Sequence, residues 1–163
     1  MTRSAPPSQT RRSVLAIGIA ALFAGTAASA APPVNTLKGG VFGGRANVAI
    51  LGYDPVAYFT DGRPVKGEPA FVFEWMGAKW QFASQSHLDL FKAEPGKYAP
   101  QYGGYCAYGV SQDNLVGIEP DKFTILDGKL YLNYDADVQA TWLKDPAGYV
   151  KQADAKFKAL LAK

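Results

Sequence analysis

The chain holds one cysteine, Cys106, in "PQYGGYCAYGVS", and one histidine, His87, in "SQSHLDLF". A thiolate is a nucleophile and a soft-metal ligand, and an imidazole serves as a base or as a ligand for copper or zinc. If the fold brings the two together they form a partial site for Cu(I) or Cu(II), with Asp54, Tyr53 and Tyr105 as further candidate ligands or pocket residues. Two strong ligands are few, since structural zinc sites normally use four. The same pair would supply a base and a nucleophile on paper, but no local nucleophile signature surrounds Cys106, so the balance falls against an enzyme.

Each of these residues also has a plainer reading. Cys106 reads equally as a small buried hydrophobe among aromatic residues, or as a redox or partner-linked thiol. His87 reads as a solvent-exposed or capping helix histidine, and Asp54, beside Pro55, as a turn residue bonding its own backbone. Tyr102, Tyr105 and Tyr108 either line a pocket or serve the core with their hydroxyls hydrogen-bonded.

The compartment decides what a lone thiol means. Residues 1–30 have a polar start, Arg11-Arg12, an apolar run from Val14 to about Gly25, and Ala28-Ser29-Ala30 at the end. That is the layout of an export signal with cleavage after Ala30. The apolar run falls short of the roughly 20 residues a bilayer needs, so no stable membrane anchor is expected once it is cut. "TRRSVL" resembles the twin-arginine motif, with Val14 in place of the usual Phe; the general secretory route is the alternative. Either route predicts a periplasmic or secreted protein, in which one cysteine excludes an internal disulfide.

Export also changes the charge. The chain carries 17 Lys and Arg against 14 Asp and Glu, and three of the arginines, Arg3, Arg11 and Arg12, belong to the signal. The remainder is neutral and shows no basic cluster, which excludes a nucleic-acid partner.

Residues 31–47 are Gly, Pro and small residues without a period and read as a flexible leader. From 48 to 163 one domain is expected, with no linker and no internal repeat. "VAILG" reads as a short apolar strand. "AFVFEWMGAKWQFAS" and "KFTILDGKLYLNY" read as hairpins, the second on an Asp127-Gly128 turn. Ser84 opens a short helix that Pro95 stops, Asp135 caps a second, and Asp145-Pro146 opens a C-terminal helix with Tyr149, Val150, Ala153, Phe157, Leu160 and Leu161 on one face. The predicted class is α+β: two β-hairpins packed with a few short helices and the C-terminal helix.

"GYDPVAYF", "WQFAS", "HLDLFKAEPGKY", "PQYGGYCAYGVS" and "DGKLYLNY" resemble, in that order, the extracytoplasmic YHS-domain proteins, over about residues 47–157. The resemblance implies metal binding, because short YHS domains accompany copper-transporting ATPases and other heavy-metal proteins. Their core reads roughly D-P-V-C-G-M, then Y-x-F-C-S-x-x-C-x-x-x-F and D-P-x-x-Y, with the cysteines as ligands. On this chain the first cysteine falls on Ala57, the second on Ala83 and the third on His87, followed in register by Phe91, Pro95 and Tyr98. The thiol-rich site of the short domains is therefore absent. What is left is His87 at a former ligand position and Cys106 from an added block.

Two functional readings follow. One is a periplasmic accessory that binds or hands over a metal ion, copper first, through Cys106 and His87. The other is a metal-free module whose aromatic pocket takes a small ligand or a partner protein.

Overall fold

The computed structural model describes residues 1–2, 30–36 and 47–163. Residues 3–29 of the segment read as an export signal, with its arginine pair, and residues 37–46 of the leader lie outside the described residues. Among the described residues, no helix is long and apolar enough to cross a membrane.

Met76 and Gly77 both take positive φ, 49° and 76°, as do Asp127 and Gly128, 50° and 71°. Positive φ at both central positions matches the twist of flanking antiparallel strands. These turns accordingly join β1 (Glu68–Trp75) to β2 (Ala78–Phe82) and β3 (Glu119–Leu126) to β4 (Lys129–Asn133) in two separate two-stranded sheets. Between and after them run α1 (Ala57–Thr60), α2 (Gln85–Ala93), α3 (Pro95–Tyr98), α4 (Ala107–Ser111), α5 (Ala136–Trp142) and α6 (Pro146–Leu160). The α+β class, the two hairpins and the C-terminal helix are as expected from sequence.

The helix starts are those the capping residues specify. Ser84 Oγ accepts the His87 N–H at 3.2 Å, Asp135 Oδ1 the Val138 N–H at 2.8 Å, and Asp145 Oδ1 the Gly148 N–H at 3.0 Å. Each satisfies one donor that a first helical turn leaves orphaned. Pro95 ends α2 as predicted and then opens α3, because a proline at the first helical position loses nothing by lacking an N–H.

The core forms where these elements converge. Phe91 of α2 is fully buried and meets Trp80 and Phe82 of β2, each at 5.2 Å between ring centroids, and Trp75 of β1 edge-on at 5.6 Å. In the other half Trp142 of α5 is fully buried against Tyr131 of β4 at 5.4 Å, and Ala153 and Leu160 of α6 close that cluster. Tyr58 joins the halves: its ring lies 4.9 Å from Phe123 and its hydroxyl donates to the Pro120 carbonyl at 2.9 Å.

The sequence expectation of no internal repeat does not survive. A short 3-10 turn, then helix, hairpin and two helices, occurs twice in the same order. Glu68 pairs with Phe82 across a register shift before Val72, and Glu119 pairs with Asn133 across a shift before Phe123. The offset along the chain that carries Glu68 onto Glu119 also carries the cap Ser84 onto the cap Asp135, and buried Phe91 onto buried Trp142. The repeat shows in residue identity only at scattered positions, such as Glu68-Pro69 with Glu119-Pro120, Gly77 with Gly128 and Pro95 with Pro146; the rest of what recurs is turn chemistry, caps and burial.

A second difference is at Ala49–Gly52. The expected strand is a 3-10 turn, with only Val48 bridging to Lys79. Ile50, Leu51 and Gly52 all have positive φ, and its counterpart Gln101–Gly104 repeats this at Tyr102, Gly103 and Gly104. The two turns pack so closely that a Cβ on Gly104 would lie 2.4 Å from Ile50 Cγ2. Buried Asn35 ties them, accepting from the Ile50 N–H at 3.1 Å and donating through Nδ2 to the Gly104 carbonyl at 2.8 Å. Val34 is buried beside it. Residues 31–36, in the segment read as a flexible leader, are thus packed onto the domain.

Candidate functional site

The Asp54-Pro55 turn delivers the first component. Asp54 is fully buried, yet every acceptor position of its carboxylate is used. Oδ1 takes the Val56 N–H at 2.8 Å and the Ala57 N–H at 3.4 Å, the self-bonding turn expected from sequence. Oδ2 takes the Ala83 N–H at 2.8 Å and lies 2.6 Å from His87 Nδ1. A carboxylate offers about four lone-pair sites, and these four donors occupy them. Asp54 therefore orients the imidazole and pins the end of β2, and has no lone pair left over for a metal.

His87 sits in the first turn of α2, with its N–H on Ser84 and its ring against Asp54. A carboxylate oxygen at 2.6 Å favours the proton on Nδ1, which in the neutral imidazole leaves the lone pair on Nε2. Nε2 lies 3.3 Å from Thr60 Oγ1 and 4.0 Å from Asp61 Oδ1, at the end of α1. Its side chain is 16 % exposed and that of Asp61 32 %, so this edge is open to solvent while the Asp54 edge is closed.

Hydroxyl, imidazole and buried carboxylate in this order resemble a nucleophile, its base and the base's orienter. Thr60 argues against that use. Its hydroxyl is 2.7 Å from Asp61 Oδ1 and 3.2 Å from the Val56 carbonyl, both closer than the imidazole. The single hydroxyl proton goes to one of those acceptors, and Nε2 keeps its lone pair for a ligand. A histidine whose far nitrogen is held by a carboxylate is the usual arrangement for metal ligation.

Cys106 has partners of its own. It is fully buried at the start of α4, bridged to Leu132 of β4. Sγ accepts the Gly109 N–H at 3.3 Å and lies 3.7 Å from Asn133 Oδ1. Burial pushes the thiol's pKa up, offset in part by the N–H groups of Gly109, Tyr134 and Tyr108. No residue is shared between these partners and those of His87. Of the Gly103-Gly104 pair, read as freedom for a turn, both residues take positive φ; Gly104 packs against Ile50 of the other turn and Gly103 against the backbone of Pro33 and Val34.

Tyr53 and Tyr105 each make a contact of their own. Tyr53 carries the Lys66 ammonium 4.5 Å above its ring. Tyr105 is buried, donates its hydroxyl to the Pro32 carbonyl at 3.0 Å, and has its pKa raised by burial. Thr60 and Asp61 were not singled out from sequence, and "YFTDG" carries no signal that could have done so. Among the described residues, no group of three or more His, Cys, Asp or Glu is placed to hold a metal ion.

Residues 56–102 match the YHS domain. The matched span contains Thr60, Asp61 and His87, begins just after the Asp54-Pro55 turn, and stops before Cys106. No curated protein and no solved structure matches the chain.

Proposed function

We propose that this is an exported metal-handling protein whose YHS domain presents a metal ion to His87 Nε2, with the Asp61 carboxylate as second ligand. The observation that carries the reading is the 2.6 Å contact between His87 Nδ1 and the buried Asp54 carboxylate, which turns the opposite nitrogen toward solvent and Asp61. An imidazole and a carboxylate suit copper(II) or zinc(II), and copper(II) binds such donors most tightly of the divalent first-row metals. A buried neutral thiol that shares no partner with His87 is poorly placed to complete the pair, which argues for Cu(II) over Cu(I) at this site.

Two protein ligands leave most of the coordination sphere to water or to a donor or acceptor protein. A small ligand set favours exchange over storage, so the metal is cargo. Its entry and exit require only the displacement of water and a small movement of Asp61, while Asp54 keeps the imidazole aimed throughout. Export, by the twin-arginine or the general secretory route, places this exchange outside the cytoplasm.

Competition titration with Cu(II) tests the proposal. One equivalent should bind, with affinity lowered at least tenfold by His87→Ala, several-fold by Asp54→Asn, and not at all by Cys106→Ser. Binding unaffected by His87→Ala would overturn it.

A further inference from the structure

The offset that relates the two halves also relates two clefts. In the first half Trp75, Met76, Gly96, Ala99, Pro100 and Gly103 line one of them. The offset carries each of these onto a residue lining the other, a cleft of about 320 Å³ between the β3–β4 hairpin and α6. The clefts differ in charge. Asp127, Lys129, Lys151 and Asp154 line the second, at positions held in the first half by Met76, Ala78, Pro100 and Gly103. Among the described residues, no ion pair joins these four to one another. Both signs of charge, gathered in one cleft and not paired, suit a ligand that carries both. A ligand of one sign would meet two like charges for every two opposite ones.

Tyr131 adds a fixed polar group. It is only 3 % exposed, its ring packs on Trp142 and Tyr102, and it lines the cleft. Its hydroxyl has no hydrogen-bond partner among the described residues. Trp80, its counterpart, donates its indole N–H to the Trp75 carbonyl at 3.1 Å. Nor is the hydroxyl sealed in as Asn133 Nδ2 and Trp142 Nε1 are, so the tip of the ring is what reaches the cleft. Burial raises the phenol's pKa, and Asp154 and then Asp127 add to the rise. The hydroxyl therefore faces both carboxylates and stays protonated. A polar group held this way without a protein partner calls for an explanation, and a hydroxyl can both donate to a ligand and accept from it.

We propose that this cleft is a second binding site, for a small zwitterion of the α-amino acid class. The ammonium sits between Asp127 and Asp154, the carboxylate turns to Lys129 and Lys151, and the Tyr131 hydroxyl bonds to the ligand between them. Asp154 Oδ1 already takes the Tyr102 hydroxyl at 2.9 Å, which holds that carboxylate in place and leaves Oδ2 for the ligand. Leu126 and Val150 offer an apolar wall to a side chain. A cavity of about 150 Å³ suffices for benzene, so a compact amino acid has room here.

The test is an NMR titration of the full chain with L-valine, and in parallel with N-acetylvaline and isobutylamine, which each lack one of the two charges. No metal is added, because valine itself chelates copper. Valine should shift the Val150 methyl and Tyr131 ring signals saturably while the His87 ring signals stay in place. Each single-charge probe should bind at least tenfold more weakly, the expected loss of a charge-assisted contact. Tyr131→Phe, which removes only the hydroxyl, should weaken valine several-fold. Lys151→Gln, an exposed substitution that leaves the core alone, should weaken valine but not isobutylamine. No saturable shift with valine, an equal response to either single-charge probe, or valine affinity unchanged in Tyr131→Phe or in Lys151→Gln overturns the proposal.

Discussion

His87 Nδ1 and Asp54 Oδ2 lie 2.6 Å apart, one at the start of α2 and the other before α1. The contact closes the first half of the molecule, because the same carboxylate also holds Ala83 at the end of β2. Removing one partner of a buried, hydrogen-bonded charge leaves the other donors stranded. Asp54→Ala should therefore cost about 3–5 kcal/mol in urea unfolding, and Asp54→Asn about 1–3 kcal/mol because an amide oxygen still accepts some of the donors. Losses below about 1 kcal/mol in both would show that the pair does not organise the site.

Phe91 is the packing counterpart of that polar anchor, one turn along α2 from His87. Phe91→Ala should cost about 3–5 kcal/mol, since it opens a cavity among Trp75, Trp80 and Phe82. Leu90→Ala, on the more exposed side of the same helix, should stay within about 0.5 kcal/mol. Comparable losses from the two would contradict the assignment of the buried face.

The buried hydroxyls and thiol set the alkaline limit. Cys106, Tyr58, Tyr102, Tyr105 and Tyr131 all have pKa values raised by burial, from ordinary values of 9.0 for the thiol and 10.0 for the phenols. Above those ordinary values the unfolded chain loses protons that the folded chain retains, so stability falls as pH rises. The slope reaches about 1.4 kcal/mol per pH unit for each group titrating only in the unfolded state. Unfolding midpoints should hold through neutral pH and drop from about pH 9 upward. A midpoint that rises over that interval would reverse the assigned sign.

What sequence reading recovered was local chemistry. Asp127-Gly128 specifies its turn, Ser84, Asp135 and Asp145 specify their helix starts, and the aromatic alternation in "FVFEWMGAKWQF" specifies a hairpin, because each acts through neighbours close by in the chain. The Asp54–His87 contact and the separate partners of Cys106 depend on how distant segments pack, which no spacing encodes. The positive φ run at Ile50, Leu51 and Gly52 escaped for a related reason. Apolar β-branched and γ-branched residues favour a strand locally, and only burial against the second turn, with Asn35 between them, over-rules that preference.

The repeat makes its own stability prediction. Ser84→Ala and Asp135→Ala remove equivalent caps from equivalent helices, and each should cost about 1 kcal/mol. Chemical denaturation of the two variants should give midpoints close to one another. A large cost confined to one of them would show that the halves share a plan but not its energetics.

The central claim is that His87 Nε2 is the metal-facing atom. Electron paramagnetic resonance of the Cu(II)-loaded chain tests it most directly, because a coordinated imidazole nitrogen leaves a resolvable coupling. The account predicts coupling to a single imidazole nitrogen in the unaltered protein, retained in Cys106→Ser and lost in His87→Ala. The same coupling in His87→Ala, or its loss in Cys106→Ser with His87 intact, would contradict it.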